Sequence, residues 1–205
     1  MNIDELDTGD VVLFTACQTA WYNPLHVFDA LLQWWTRSPF THCGMILRNP
    51  TFIHPSLKGL YLWESGWENA EPDPQDGRSK LGVQITPLCE YLRNSPGCTV
   101  YVLKKIRGDV DAMRLTRIHH VVHNKPYDLD LIDWLKGAVN NDRTQGTPRT
   151  NNFWCSALVG YIMVRLGFFR DDVNWSVLRP ADFASSPSLF TNTCDYASEP
   201  VRVLY

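Results

Sequence analysis

The most constraining stretch of this chain is a predicted helix with a cysteine in its first turn. Two asparagines precede it and Gly167 follows it, and these residue types commonly cap the start and end of helices. Between them, apolar residues recur at helical spacing: Trp154, Leu158, Tyr161, Ile162 and Leu166. Free N–H groups and the helix dipole at a first turn lower a thiol pKa. Cys155 is therefore a candidate nucleophile, although the helix alone favours a buried core cysteine.

Composition limits the classes of protein that this chain can belong to. With 205 residues, 44% of them hydrophobic, we expect a single domain over 1–205 with its own core. A net charge of -3 disfavours a general nucleic-acid binder. The acidic, polar N-terminus does not resemble a signal peptide, and no apolar run reaches the ~20 residues of a membrane helix. We expect an intracellular protein, in the cytoplasm or, for a viral protein, in the virion, with peripheral membrane contact left open.

The six cysteines are scattered and do not form a C-x-x-C pair. Their spacing therefore does not predict a zinc site, and the sequence predicts no cofactor. Without a secretory signal we expect reduced thiols, although an even count leaves disulfides open. Strand alternation predicts that Cys43 points into the core.

The hydrophobic pattern predicts an α+β fold with a mainly antiparallel sheet packed against helices. Strands are predicted over 11–14, 41–47, 60–65, 83–85, 99–106 and 201–204. Helices are predicted over 24–37, 87–93 (opened by Thr86), 109–122 and 129–139, and a further helix starts near 178–183. The polar segment 66–80 is predicted to be a surface loop, or a flap over a cleft.

Two of these strands bring an imidazole close to a carboxylate. If Ile46 pairs with Leu60 in a hairpin, the same register sets His42 opposite Glu64. Directly opposed side chains in an antiparallel pair have Cβ atoms ~5 Å apart. The sequence thus predicts a His42–Glu64 contact at one end of the sheet.

Cys155, His42 and Glu64 together have the chemistry of a thiol triad. A thiol nucleophile needs a base within hydrogen-bonding reach, and histidine has a suitable pKa. A carboxylate fixes the tautomer of that histidine and stabilises the imidazolium. The backbone N–H of Cys155 is placed to donate to a developing oxyanion.

Several motifs resemble a known superfamily. They are Gly9-Asp10-Val11-Val12-Leu13-Phe14, Thr41-His42-Cys43-Gly44-Met45, Glu64, Lys125-Pro126-Tyr127-Asp128 and Trp154-Cys155-Ser156-Ala157-Leu158-Val159. In this order the chain resembles the circularly permuted NlpC-type papain-like superfamily, most closely its YiiX/YebB-like branch. That branch has poxviral relatives and more distant lecithin–retinol acyltransferase-like relatives. The motifs span the chain from Gly9 to about Phe183, with histidine first and cysteine last.

The resemblance implies a permuted papain-like fold with a catalytic cysteine at a helix N-terminus. It implies Cys155 as nucleophile, His42 as base and Glu64 as the third polar residue. Supporting or substrate-binding roles are expected for Tyr127, Asp128, Trp154, Ser156 and Asp10. Ala157 departs from the glutamate that many relatives carry there, and the elaborated loop at 68–80 prevents any transfer of substrate specificity.

Other readings of these residues stay open at this stage. Glu68 and Asp10 compete with Glu64, although Asp10 fits a turn cap better, and Tyr127 fits a packing role as well as a site role. The histidines His119, His120 and His123 have a spacing that a metal could use, but they fit a plain helix face better. Core packing is also the default for Trp21, Trp34 and Trp35.

These observations predict a cysteine-dependent hydrolase. In it, the Cys155–His42–Glu64 triad cleaves an amide or ester bond of a peptide, amide or lipid substrate through an acyl-enzyme. A lipid-directed acyltransferase or esterase of the same fold and a non-catalytic binding module are the alternatives.

Overall fold

The computed structural model describes residues 1–15, 38–66, 72–128 and 150–205. The helices predicted over 24–37 and 129–139 lie outside these residues, as do Trp21, Trp34, Trp35 and Glu68.

The described chain forms six strands and four α-helices. The strands are β1 (Val11–Thr15), β2 (Phe40–Arg48), β3 (Leu60–Gly66), β4 (Gly82–Pro87), β5 (Val100–Leu103) and β6 (Val201–Arg202). The helices are α1 (Leu88–Arg93), α2 (Ala112–Val122), α3 (Cys155–Leu166) and α4 (Asp182–Ser185). Short 3-10 turns occur at Ile3–Glu5, Trp175–Val177 and Pro187–Leu189.

The strands form one antiparallel sheet in the order β4-β3-β2-β1-β5-β6. Sequence neighbours β1 to β4 lie side by side, and β5 joins the free edge of β1. The predicted α+β class with an antiparallel sheet is therefore confirmed.

Each face of the sheet carries its own apolar cluster, because strand side chains alternate in direction. One cluster joins α2 and α3 to one face and includes Val11, Cys43, Met45, Trp63, Ile118 and Leu158. The other joins α1 and the N-terminal segment to the opposite face and includes Leu6, Val12, Ile46, Leu62 and Leu88. Because the sheet is covered on both sides, every residue of β1 from Val11 to Phe14 is buried.

The β2–β3 hairpin has a different register from the predicted one. Ile46 pairs with Leu62 and not with Leu60. The error is two residues, so each side chain keeps its predicted face, because the side-chain period of a strand is also two. His42 and Glu64 therefore still share a face, although they are not directly opposed.

A gap opens between β2 and β3 close to these two residues. Their pairing ends at Met45 and Trp63. Beyond that point β2 stays paired with β1 as far as Thr15 and Phe40, while β3 stays paired with β4 as far as Gly66 and Gly82. The gap matters because the start of α3 reaches it.

Helix α3 begins at Cys155, as the sequence suggested, but its cap differs from the prediction. The N-cap residue is Trp154, which has no capping side-chain hydrogen bond, so neither Asn151 nor Asn152 fills that role. The C-cap is the predicted Gly167, in the left-handed conformation with φ 83°. The first-turn N–H groups have no partner within the helix, as at every helix start.

Two other predicted boundaries change, and the start of the last helix agrees with its prediction. Thr86 lies within β4, and Pro87 is the N-cap of α1, so Thr86 does not open that helix. Helix α4 begins at Asp182, within the predicted start at 178–183, and the Asp182 carboxylate accepts from the backbone N–H of Arg179 at 2.8 Å. Strand β5 ends at Leu103, well before 106, since the sheet partner β1 starts opposite it at Val11.

The cysteines differ in state. Cys43, Cys89, Cys155 and Cys194 are free thiols, whereas Cys98 is disulfide-bonded. The expectation that all six would be reduced is therefore wrong for Cys98. Among the helices in the described ranges, none combines the length and apolarity needed to cross a membrane.

Candidate active site

His42 and Glu64 form a hydrogen-bonded pair across the gap between β2 and β3. His42 Nε2 lies 2.6 Å from Glu64 Oε2. The glutamate side chain is 1% exposed and the histidine side chain 20% exposed, so the pair is largely shielded from water. Because Nε2 contacts Glu64, the other ring nitrogen, Nδ1, is the one available to hydrogen-bond the Cys155 thiol. Sequence analysis predicted this contact correctly from an incorrect register.

The Glu64 carboxylate is positioned from a neighbouring strand. Thr86 Oγ1 donates a hydrogen bond of 3.0 Å to Glu64 Oε1, so the two carboxylate oxygens have different partners. A Cβ at Gly66 would lie 3.2 Å from Oε2, closer than most such contacts, so glycine there gives the carboxylate room. The result is a buried carboxylate aimed at His42.

Two aromatic rings border the imidazole of His42. The Tyr91 ring on α1 stacks on it, with centroids 6.1 Å apart and an interplanar angle of 15°. The Phe14 ring, from the facing position on β1, lies 5.8 Å from it. An aromatic face near a protonated imidazole stabilises its positive charge. These rings restrict the imidazole while leaving about a fifth of the side chain exposed.

The chain entering α3 is held by hydrogen bonds to two other segments. The Phe153 N–H donates to Pro126 O at 3.0 Å, and the Asp128 N–H donates to Phe153 O at 3.2 Å. The buried hydroxyl of Ser65, at the end of β3, also donates to Phe153 O at 2.5 Å. Together these bonds fix where the helix starts and therefore where Cys155 lies.

Gly82 makes the approach of the 125–127 segment possible. Its φ of 144° is rarely adopted by residues with a side chain, and an added Cβ would lie 2.3 Å from Lys125 O. The Val83 N–H donates to Lys125 O, and the Tyr127 N–H donates to Leu81 O. The motif around Tyr127 and Asp128 thus acts here through its backbone, by linking β4 to the segment before Cys155.

Cys155 reaches β2 in the gap that β3 leaves. The N–H of Ile46 points toward β1, donating to Asp10 O at 2.8 Å, so alternation points the N–H of Cys43 toward the β3 side. No β3 residue pairs with Cys43, because the ladder ends at Met45. The Cys43 N–H instead donates to the sulfur of Cys155, which also hydrogen-bonds His42 and the thiol of Cys43.

These contacts favour a thiolate–imidazolium pair. The pKa of Cys155 lies well below its ordinary value, chiefly because the Cys43 thiol donates a hydrogen bond to it. The charge of His42 and the hydrogen bonds from His42 and the Cys43 N–H lower it further, while burial opposes these effects. Burial by itself lowers the pKa of His42. The charge of Cys155 and the bonds to Cys155 and Glu64 outweigh burial and raise the His42 pKa to about 10.

Cys43 has the opposite tendency. Burial, its hydrogen bond to Cys155 and the negative charges of Cys155 and Glu64 raise the pKa of the Cys43 thiol well above its ordinary value. Cys43 therefore stays protonated and can donate its S–H to the Cys155 thiolate. The prediction that Cys43 lies in the core is correct, but no sequence pattern predicted its contact with Cys155.

The remaining residues of the Cys155 motif have structural positions. The Ser156 hydroxyl is buried and donates to Leu178 O at 2.6 Å, which ties α3 to the segment that follows it. Trp154, at the N-cap, is 7% exposed and belongs to the core cluster. Both residues hold the helix start in place, and neither polar group is the third member of the triad.

Asp10 lies at the other end of β1 from the site. Its carboxylate accepts from the Asp7 N–H at 2.7 Å, from Lys104 Nζ at 2.7 Å and from the Lys105 N–H at 2.9 Å. His42 faces Phe14, four residues farther along. Asp10 therefore closes the turn into β1 and is not brought together with the triad candidates.

The three histidines near the end of α2 form a separate group. The His119 ring stacks on His123, packs against Trp63 and hydrogen-bonds the side-chain oxygen of Gln75. Burial, followed by the positive charges of His123, His120 and Lys80, lowers the pKa of His119 to about 4. In the ranges that the structure describes, no group of three or more such side chains is arranged to hold a metal ion.

Cys43, Thr86 and Tyr91 are site residues that sequence reasoning missed. Thr86 sits next to Pro87 at the start of a helix, which suggested a cap. Tyr91 lies on α1, and nothing in the local pattern links that helix to His42. Thr86 pairs with Leu62, and Glu64 lies two residues from Leu62 on the same strand. With the β3–β4 register known, strand alternation would therefore have put Thr86 and Glu64 on one face of the sheet.

No family model, no curated protein and no solved structure matches this chain.

Proposed function

We propose that this protein is a cysteine-dependent hydrolase that cleaves an amide or ester bond through an acyl-enzyme. The observation that carries the proposal is the contact of Cys155 with His42, whose other nitrogen is hydrogen-bonded to the buried carboxylate of Glu64. We also propose the permuted papain-like, NlpC-type assignment. It is supported by the order in which the chain supplies histidine, carboxylate and helix-start cysteine.

In the proposed reaction the Cys155 thiolate attacks the carbonyl carbon of the substrate. The negative charge then develops on the carbonyl oxygen, and the N–H groups at the start of α3, which have no partner within the helix, stabilise it. The imidazolium of His42 donates its proton to the leaving amine or alkoxide, which gives the thioester and a neutral imidazole. His42 then removes a proton from water, and the resulting hydroxide releases the acid and restores the thiolate.

Glu64 acts in this scheme without touching the substrate. Its hydrogen bond to Nε2 sets the tautomer in which Nδ1 faces the sulfur, and its charge stabilises the imidazolium. Thr86 in turn fixes the carboxylate.

The proposal is tested with a panel of electrophilic amide, ester and lipid probes. Wild-type protein is compared with Cys155→Ala and His42→Ala, with Cys194→Ser as a matched control, because Cys194 is an exposed free thiol outside the site. We expect wild type and Cys194→Ser to react with at least one probe class, and both site variants to lose that reaction. Probe turnover that survives Cys155→Ala would refute the proposed mechanism.

A further inference from the structure

We propose that Cys43 and Cys155 form a reversible disulfide when Cys155 is oxidised by a hydroperoxide, so that the nucleophile is stored in an inactive but recoverable form. This inference deepens the proposed function, because it concerns the regulation of the same site.

Two free thiols, those of Cys43 and Cys155, are hydrogen-bonded to each other in the candidate site. Cys43 and Cys155 are both reduced, both buried, and joined by a side-chain hydrogen bond. They come from elements far apart in sequence, so the contact is created by the packing of α3 on β2. Because the two thiols are hydrogen-bonded to each other, their sulfur atoms face one another, as the formation of a disulfide between them requires.

Cys43 lies on β2 at the gap between β2 and β3. Its backbone N–H and its thiol both face the Cys155 sulfur, since β3 no longer pairs with β2 at that level. The other free thiols in the described ranges, Cys89 and Cys194, are exposed, and neither hydrogen-bonds Cys155. Among the free thiols in the described ranges, Cys43 is therefore the one positioned to react with an oxidised Cys155.

The thiols of Cys43 and Cys155 also have complementary reactivity. Cys155 favours the thiolate, which is the form that peroxides oxidise, whereas Cys43 remains a protonated thiol. The charge of Cys155 contributes to the raised pKa of Cys43. Once Cys155 is a neutral sulfenic acid that contribution disappears, and Cys43 loses its proton more easily.

The disulfide forms in two steps, the oxidation of Cys155 by the hydroperoxide and the attack of Cys43 on the oxidised sulfur. The Cys155 thiolate attacks one peroxide oxygen, an S–O bond forms and the O–O bond breaks, and the leaving oxygen takes a proton from the His42 imidazolium to give water or an alcohol. The peroxide gains the two electrons that the sulfur loses. The Cys43 sulfur then attacks the Cys155 sulfur, the S–O bond breaks, and the hydroxide leaves as water with the Cys43 proton. A dithiol reductant returns both thiols.

The test uses the full chain, treated with less than stoichiometric hydrogen peroxide, blocked with N-ethylmaleimide and digested with trypsin. Cleavage after Arg37, Arg48, Arg149 and Arg165 separates the peptides 38–48 and 150–165, each with one of the two cysteines. We expect these peptides to appear cross-linked in wild type and to separate after treatment with dithiothreitol. The exposed-thiol variant Cys89→Ser should give the same cross-link.

The Cys43→Ser variant completes the experiment. We expect the cross-link to be lost and Cys155 to proceed to the sulfinic acid, which dithiothreitol does not reverse. Equal sulfinic acid in wild type and Cys43→Ser, or no cross-link in wild type after Cys155 has been oxidised, would overturn the inference. Because the readout is peptide mass, it is independent of hydrolysis. A cross-linking protein that hydrolyses no probe would contradict only the proposed function.

Discussion

At the scale of single residues, the site depends on a chain of hydrogen bonds that runs from Thr86 through Glu64 and His42 to Cys155. Each member restricts the next. Thr86 fixes one carboxylate oxygen, the second oxygen fixes the imidazole, and the imidazole contacts the sulfur. A substitution at Thr86 should therefore change the reactivity of Cys155, although the two residues are linked only through Glu64 and His42.

Thr86→Val tests that chain. Valine keeps the shape of threonine but removes the donor to Glu64 Oε1, and the loss of one hydrogen bond to a buried charged group costs about 1–3 kcal/mol. We expect the free energy of unfolding to fall by an amount in this range, and the rate of Cys155 alkylation at neutral pH to fall as well. Urea unfolding and iodoacetamide labelling measure the two effects.

The matched variant is Thr86→Ser, which keeps the hydroxyl. We expect it to retain most of the alkylation rate, because the hydrogen bond to Glu64 can still form. If both variants lose the same labelling rate, the methyl group and not the hydroxyl of Thr86 matters, and its assigned role is wrong.

At the scale of elements, the site depends on how α3 is seated. The helix is closely packed at its middle, where an added Cβ on Gly160 would lie 2.6 Å from Leu178 Cδ1 and 3.0 Å from Trp175 Cβ. The buried hydroxyl of Ser156 ties the first turn to the same segment. The 175–178 segment thus sets the depth at which α3 lies against the sheet.

Gly160→Ala should separate helix propensity from packing. Alanine in a helix interior is favoured over glycine by about 1 kcal/mol. Overpacking a core costs about 1–3 kcal/mol. We expect a net loss of stability, measured by urea unfolding. In a double-mutant cycle, Gly160→Ala should therefore cost less stability in a Leu178→Ala background than in the wild type. If Gly160→Ala alone increased the stability, the 175–178 segment would be able to move away from the added methyl group at little cost in free energy.

The register of the β2–β3 hairpin explains both the success and the error of the sequence prediction. The alternating pattern defines the face of His42 and Glu64, and a two-residue slip preserves that face. It does not define where the pairing stops. That point depends on α3 entering beside β2, a contact between segments more than 100 residues apart in sequence, which no local pattern reports.

At the scale of the whole molecule, sequence reasoning predicted the α+β class, most strand and helix positions and the cysteine at a helix start. It did not predict the Cys43–Cys155 contact, the Thr86 hydrogen bond or the disulfide at Cys98. All three depend on distant segments meeting. The N-cap prediction failed for a related reason. Phe153 donates to Pro126 O and accepts from the Asp128 N–H and the Ser65 hydroxyl, and these bonds position the helix start instead of an asparagine side chain.

The low pKa of Cys155 is a property of this whole assembly. Its contributors, Cys43 and His42, both lie on β2, the thiol itself lies on α3, and the imidazole is hydrogen-bonded by Glu64 from β3. Because the thiol pKa is lowered on folding, the thiolate persists above that folded pKa and is lost as the pH falls through it. Because the His42 pKa is raised to about 10, the ion pair is lost at the alkaline end as the pH rises through that value.

The most direct test of the central claim is the pH dependence of Cys155 alkylation, followed by mass spectrometry of the 150–165 peptide. In the native wild type we expect the midpoint of the rate to lie well below the ~8.5 of an ordinary cysteine. In His42→Ala, and in wild type unfolded by urea, we expect the midpoint to rise toward that ordinary value. A native midpoint near the ordinary value, unchanged by His42→Ala and by urea, would contradict the activation of Cys155 by His42.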